Sequence, residues 1–191
     1  MSRWPRHIEP GTTYHLISRF VDREWFIRQQ HERELYLRLL GKALSTSDWQ
    51  CLAFAIMSNH VHLAMVAGTQ ALDTWLRRVH SPFADTMNRA YGRIGSMFVR
   101  GPKALPIDPA GVGSVIAYIH NNPVRAKVVE RASASTWTSH PGYVGLQRPP
   151  RWLRVEQGLV LAGFEDPTAF DRWVEDPQRA EFDAAHELEL A

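Results

Sequence analysis

One cysteine, Cys51, no run of eighteen apolar residues, no internal repeat and no low-complexity tract mark this 191-residue chain. A lone cysteine cannot close an internal disulfide or build a cysteine-based zinc site, so Cys51 reads as a small core residue. Without a long apolar run no membrane-spanning helix is expected. The N-terminal "MSRWPRHIEP" also lacks the apolar stretch that follows the basic residues of an export signal. These absences predict a cytoplasmic protein in a reducing compartment. Net charge is scarce too, at +2, but it is unevenly spread. Residues 156–191 hold ten acids against Arg172 and Arg179, a net −8, which leaves +10 on the first 155. A basic body with an acidic tail suits a body that meets a polyanion while the tail stays clear of it or covers it; uneven solvated charge gives the same count.

What is present is 45% hydrophobic residues, enough to bury one core. "TTYHLISR" (12–19) alternates like a strand, and residues 28–44 place Leu35, Leu39, Leu40 and Leu44 at helical spacing. "QCLAFAIM" and "HVHLAMVA" are apolar runs split by Ser58-Asn59, a two-residue hairpin turn. A second helix covers roughly 70–91, where Pro82 is expected to kink it or divide it after Ser81. In a third helix Asp108 caps, Pro109 suits the first turn, and Pro123 is expected to stop it at Asn122. Irregular chain and two short helical patterns follow. The order β-α-β-β-α-(β)-α with an antiparallel hairpin predicts an α+β protein: a ferredoxin-like antiparallel sheet with helices packed on it and a C-terminal helical tail. Residues 1–130 form the expected main domain and 131–191 an acidic extension.

The chemistry starts at "FAIMSNHVHLAMV" (54–66). Side chains alternate along a strand, so His60 and His62 project from one face and Val61 and Leu63 from the other. Neutral imidazole is a common metal ligand, and the pair makes half a metal site, although two hydrogen-bonded histidines have the same spacing. In "GSVIAYIHNNPVRA", Val112, Val115, Ile116 and Ile119 form a buried helical stripe. Tyr118 and Asn122, four residues apart, are neighbours on another flank. Asn122 offers a carbonyl oxygen to a hard cation, and Tyr118 a hydroxyl that can attack phosphorus; equally, Tyr118 can be a half-buried aromatic and Asn122 a helix end.

The succession "YHLISRF", "MSNHVHL" and "YIHNNPVRAKVV" resembles the single-tyrosine HUH transposases, specifically the REP-associated tyrosine transposases. His60-Val61-His62 matches the HUH element, and residues 118–126 match a tyrosine-led Y-[IV]-x-x-N-P-V motif. The resemblance implies a metal-dependent enzyme that cleaves and rejoins single-stranded or hairpin DNA, as a monomer or homodimer. Tyr118 is then the nucleophile, while His60, His62 and Asn122 hold a divalent cation, Mg²⁺ or Mn²⁺. A phenol with its ordinary pKa of about 10 needs such help at neutral pH.

Arg77, Arg78, Arg89, Arg93, Arg100 and Lys103 stand against Asp73 and Asp85 between residues 71 and 107, a local +4 suited to a phosphate-tracking groove. Arg6 and Arg19, with Arg3 and Arg23, are further candidates for DNA contact. Trp4 and Trp25 are candidates for stacking on bases, whereas Trp75 falls on the apolar spacing of Leu72, Leu76 and Val79 and reads as core. One stretch departs from the family. Where [FW]-[QE]-x-R-[FY] is usual, this chain has Phe98-Val99-Arg100-Gly101-Pro102. That departure favours an alternative, a domesticated hairpin-DNA-binding protein that does not cleave. An RNA-binding module of ferredoxin-like fold ranks last, because its sheet aromatic motif is absent.

Overall fold

The protein is described by a computed structural model covering residues 7–99 and 101–176. Its strands are β1 (Thr13–Arg19), β2 (Gln50–Ile56), β3 (His60–Val66) and β4 (Lys103–Pro106). Its helices are α1 (Gln30–Leu44), α2 (Leu72–Ala90), α3 (Val112–Arg125), α4 (His140–Tyr143), α5 (Val155–Leu161) and α6 (Pro167–Val174). The strands make one antiparallel sheet in the order β2-β3-β1-β4. This is the expected α+β architecture.

Register decides what shares a face. His62 lies opposite Ile17 and His60 opposite Arg19, while His15 pairs with Ala64. His15, Ile17, Arg19, His60 and His62 therefore project together. The other face presents Leu16, Val61, Leu63, Phe54 and Ile56, all buried. There α1 and α2 pack against each other, with Tyr36 edge-on to Phe83 at 5.3 Å. Helix α3 covers the histidine face instead, its Tyr118 ring 5.8 Å from His15 and 5.7 Å from His62.

Two expectations about proline are corrected. Pro82 does not divide α2, which runs unbroken from Leu72 to Ala90. The missing N–H and the ring clash cost about 3 kcal/mol. However, Leu72, Trp75, Leu76, Val79, Phe83 and Met87 form one buried stripe across the proline, and burying each large apolar side chain gains about 1.5–3 kcal/mol. Pro123 does not stop α3 at Asn122 either; the helix continues to Arg125. A proline loses its donor but keeps its carbonyl as an acceptor. The carbonyl of Asn122 still accepts from the Ala126 N–H at 3.0 Å and that of Pro123 from Val128 at 2.9 Å. The Asp108 carboxylate does cap, accepting from the Ala110 N–H, but at a 3-10 turn just ahead of α3.

Strand β2 is an edge, and edges invite unwanted pairing. The segment after α3 covers it. Ile56 N–H donates to the Trp137 carbonyl and Ser139 N–H to that of Phe54, while Arg154 N–H donates to Cys51. Tyr143, Leu159, Phe170 and Val174 from this segment are buried in the same apolar cluster as the sheet. Cys51 and Trp75 are fully buried, as expected of core residues. Among the described residues, no helix is long and apolar enough to cross a membrane.

Candidate active site

The hairpin that carries the histidines is tied down at its turn. Met57 N–H donates to the His60 carbonyl at 2.9 Å, leaving Ser58-Asn59 as the two turn residues. The carbonyls of those two residues accept from Ile27 and Phe20. Buried Arg33 donates from Nε to the Ile56 carbonyl at 3.2 Å, and its guanidinium lies 3.6 Å from the Trp137 ring centroid. A turn fixed by backbone and guanidinium bonds delivers both histidines in one orientation.

Each imidazole is also held at one nitrogen. His60 Nδ1 donates to Asn59 Oδ1 at 2.5 Å, and His62 Nδ1 lies 2.8 Å from His15 Nε2. With its Nδ1 engaged by His15, His62 turns Nε2 to a ligand. Burial, reinforced by His60 and His15, holds the His62 pKa well below the ordinary imidazole range, so the ring is neutral at pH 7, the state that binds metal. On α3, Asn122 Nδ2 donates to the Tyr118 carbonyl at 3.0 Å, which turns the amide's donor inward, so the atom it could offer a cation is its oxygen. Two imidazoles plus an amide oxygen are a donor set that suits Mg²⁺ or Mn²⁺ and would leave coordination positions open.

His60, His62, Tyr118 and Asn122 line one cavity of about 360 Å³, together with Ile17, Met57, Asn59 and three arginines, Arg19, Arg23 and Arg125. The Arg125 guanidinium sits 4.9 Å from the centroid of the Tyr118 ring. A pocket that joins a phenol, two imidazoles and an amide to three cations has the chemistry to accept an anionic group such as a phosphate. Tyr118 itself is only 3% exposed, so its approach is restricted to what enters that cavity.

The family model of the transposases described as IS200-like matches residues 10–122, more than half of the chain, including the two strands that line this cavity, β1 and β3, and α3 as far as Asn122. The chain belongs to the IS200-like transposase family. No curated protein matches it significantly. Among solved structures it is similar to a REP-associated tyrosine transposase bound to a REP hairpin, with a TM-score of 0.62 at 15% identity, over 76% of this chain and 86% of that one. A candidate transposase from Deinococcus radiodurans R1 aligns over 63% of this chain and 97% of that one, with a TM-score of 0.43 and 18% identity. The likeness to the first is a likeness of fold.

Within this family member, the expected DNA-contacting residues separate. Arg19 lines the cavity. Arg89 and Arg93 border a shallow depression with Asn88 and Ile94, and Arg93 also lies 4.2 Å from the Phe26 ring centroid. Arg77 and Arg78 are exposed earlier on α2, where Arg78 donates to Thr46 Oγ1 at 2.9 Å. Lys103 is exposed on β4 opposite Ile17. Arg6 and Arg100 lie outside the described residues, as do Trp4 and the end of the acidic tail. Trp25 is 65% exposed, consistent with a stacking surface.

The sequence reading missed Arg125, Asn59 and His15. Arg125 was signalled by spacing, since seven residues after Tyr118 is two helical turns along the same face. His15 shares the strand parity of Ile17 and Arg19, but only the sheet order places it beside His62. A second group of possible ligands, His140, Asp171 and Glu175, lies apart from the cavity. His140 is bonded to Asp171, and Glu175 accepts from Ser133, so these atoms already have partners.

Proposed function

We propose that this transposase cleaves and rejoins single-stranded DNA at hairpin, REP-like sequences through a 5′-phosphotyrosine intermediate. The observation that carries the reading is the single cavity in which Tyr118 meets His60, His62, Asn122 and three arginines. Membership of a transposase family and the fold shared with a hairpin-bound relative support DNA as the substrate class. Arg19, Arg23 and Arg125 would neutralise the scissile phosphate as it enters. The Tyr118 hydroxyl attacks phosphorus and gives its proton to solvent, while the bond to the 3′ oxygen breaks and that oxygen takes a proton from solvent to leave as a 3′-hydroxyl. The phosphotyrosine conserves the bond energy, so the same or another 3′-hydroxyl can attack it and restore the phenol.

His60, His62 and Asn122 would hold a divalent cation, Mg²⁺ or Mn²⁺, which when bound polarises the phosphate and offsets charge on its oxygens. The neutral His62 and the inward-turned amide donor of Asn122 fit that assignment. The alternative, hairpin binding without cleavage, is favoured by the altered stretch at 98–102 alone. Pro102 is buried there, and Phe98 is committed to packing, stacked 3.8 Å from the His80 ring.

One experiment separates the readings. Labelled hairpin DNA incubated with the protein and Mn²⁺ should give a covalent adduct with wild type and none with Tyr118→Phe, which removes only the hydroxyl. Hairpin binding without an adduct from wild type would establish the alternative.

A further inference from the structure

The geometry points to His15 as a positioning residue that fixes His62 in the tautomer required for metal binding; this rests on the proposal that His62 is a ligand. His15 is 1% exposed and His62 4%, and they are diagonal neighbours on adjacent strands, with His15 paired to Ala64 and His62 to Ile17. The contact runs from His15 Nε2 to His62 Nδ1 at 2.8 Å, with ring centroids 4.9 Å apart. Only one proton fits between two nitrogens at that distance. If it sits on His62, His62 Nε2 keeps its lone pair for the cavity; if it sits on His15, His62 Nε2 carries a hydrogen and cannot coordinate.

His15 therefore acts through its Nε2 as an acceptor. Asn59 does the same for His60, whose Nδ1 donates to Oδ1. The two outer partners differ in a way that matters. Asn59 belongs to the hairpin turn and moves with His60, whereas His15 comes from β1 and ties the ligand to the centre of the sheet. Partners of this kind fix ring orientation and ligand basicity, and losing one typically weakens metal affinity about 10–100-fold. A neutral imidazole in this role would orient the ligand without adding negative charge beside a bound cation.

Two amides of different reach test this. Gln at position 15 extends its carbonyl oxygen to where imidazole Nε2 stands, while Asn carries the same group one methylene short. Mn²⁺ binding would be followed through the loss of the free-ion electron paramagnetic resonance signal, with circular dichroism reporting the fold. His15→Gln should bind Mn²⁺ within about threefold of wild type, and His15→Asn about 10–100-fold more weakly. Equal Mn²⁺ affinities for the two folded variants would overturn the role of His15. His62→Ala supplies the control for the underlying reading. No Mn²⁺ binding by wild type, or binding undiminished in His62→Ala, would bring down the metal site and the inference with it. Loss in His62→Ala beside equal binding by both position-15 variants would remove His15 alone.

Discussion

Lowering the pH from 7 to 5 should strip this transposase of much of its stability, because it buries several histidines in neutral form. Burial pushes His62 and His120 well below the ordinary imidazole pKa of 6.5, and it pushes His80 down to about 3. Their folded proton affinity is depressed, so the unfolded chain binds more protons wherever the pH is below 6.5. The stabilisation is complete above that pH and declines as pH falls towards the folded pKa values. For one histidine that stays neutral when folded, the loss between pH 7 and pH 5 is about 2 kcal/mol. Three give about 6 kcal/mol, comparable with the whole stability of many domains. His140 is left out of this sum, since burial lowers its pKa but the Asp171 carboxylate opposes that. Glu32, lowered by bonds from Tyr91 and from the backbone against its own desolvation, enters only below about pH 4.5, outside the window. Guanidinium chloride melts at pH 7, 6 and 5 in the presence of a chelator would measure the decline. His80→Gln, which can keep a bond to the Tyr36 hydroxyl, should reduce the fall by about 2 kcal/mol. A fall below about 1 kcal/mol in wild type, or the same fall in His80→Gln, would refute the assignment of buried neutral histidines.

Three further outcomes are expected. Pro82→Ala should raise stability by about 1–3 kcal/mol in denaturant melts, since it restores a helical donor within a stripe that is already packed. Arg125→Gln should weaken single-stranded DNA binding and reduce the slope of log affinity against log salt by about 0.7, the share of one phosphate contact, measured by titration at several salt concentrations. Deleting residues 177–191 removes Glu181, Asp183, Glu187 and Glu189 with Arg179, a net change of +3. Binding of nonspecific single strands should then tighten at low salt, with the difference shrinking as salt rises; unchanged low-salt affinity would make the tail solubilising charge only.

Most of the sheet could be read in the sequence because its strands alternate or run apolar between clear turns, and the paired histidines sit on the strand after the Ser58-Asn59 turn. Strand order could not. His15 and His62 are 47 residues apart, and nothing local to either says that β1 lies beside β3. The prolines misled for a related reason. Local sterics favour a helix end at Pro82 and Pro123, but the apolar stripe of α2 and the carbonyls of Asn122 and Pro123 in α3 find tertiary and local partners that outweigh one lost donor. The basic residues of α2 looked like a single groove because charge was counted along the chain. Seen in three dimensions, Arg78 and Arg93 serve different neighbours, Thr46 and Phe26.

Helix α3 has to hold Tyr118 against the sheet, and its far side explains how. His120 follows Tyr118 by two residues, about 200° around the helix, and so faces away from the histidine pair. There it joins a buried chain of polar groups. His140 Nε2 lies 2.8 Å from Asp171 Oδ1, His140 Nδ1 3.1 Å from His120 Nδ1, and His120 Nε2 2.8 Å from Ser139 Oγ. The carboxylate can only accept, so His140 carries its proton on Nε2 and accepts at Nδ1. His120 must then donate from Nδ1 and accept at Nε2 from the Ser139 hydroxyl, whose oxygen in turn accepts from the Phe54 N–H at 3.0 Å. One proton arrangement thus satisfies every member, running from α6 through α4 and α3 to the edge strand β2. A fully satisfied buried network favours one packing over its near alternatives. The segment after α3 accordingly seats the helix that carries Tyr118 from behind, while the sheet presents the two imidazoles in front of it.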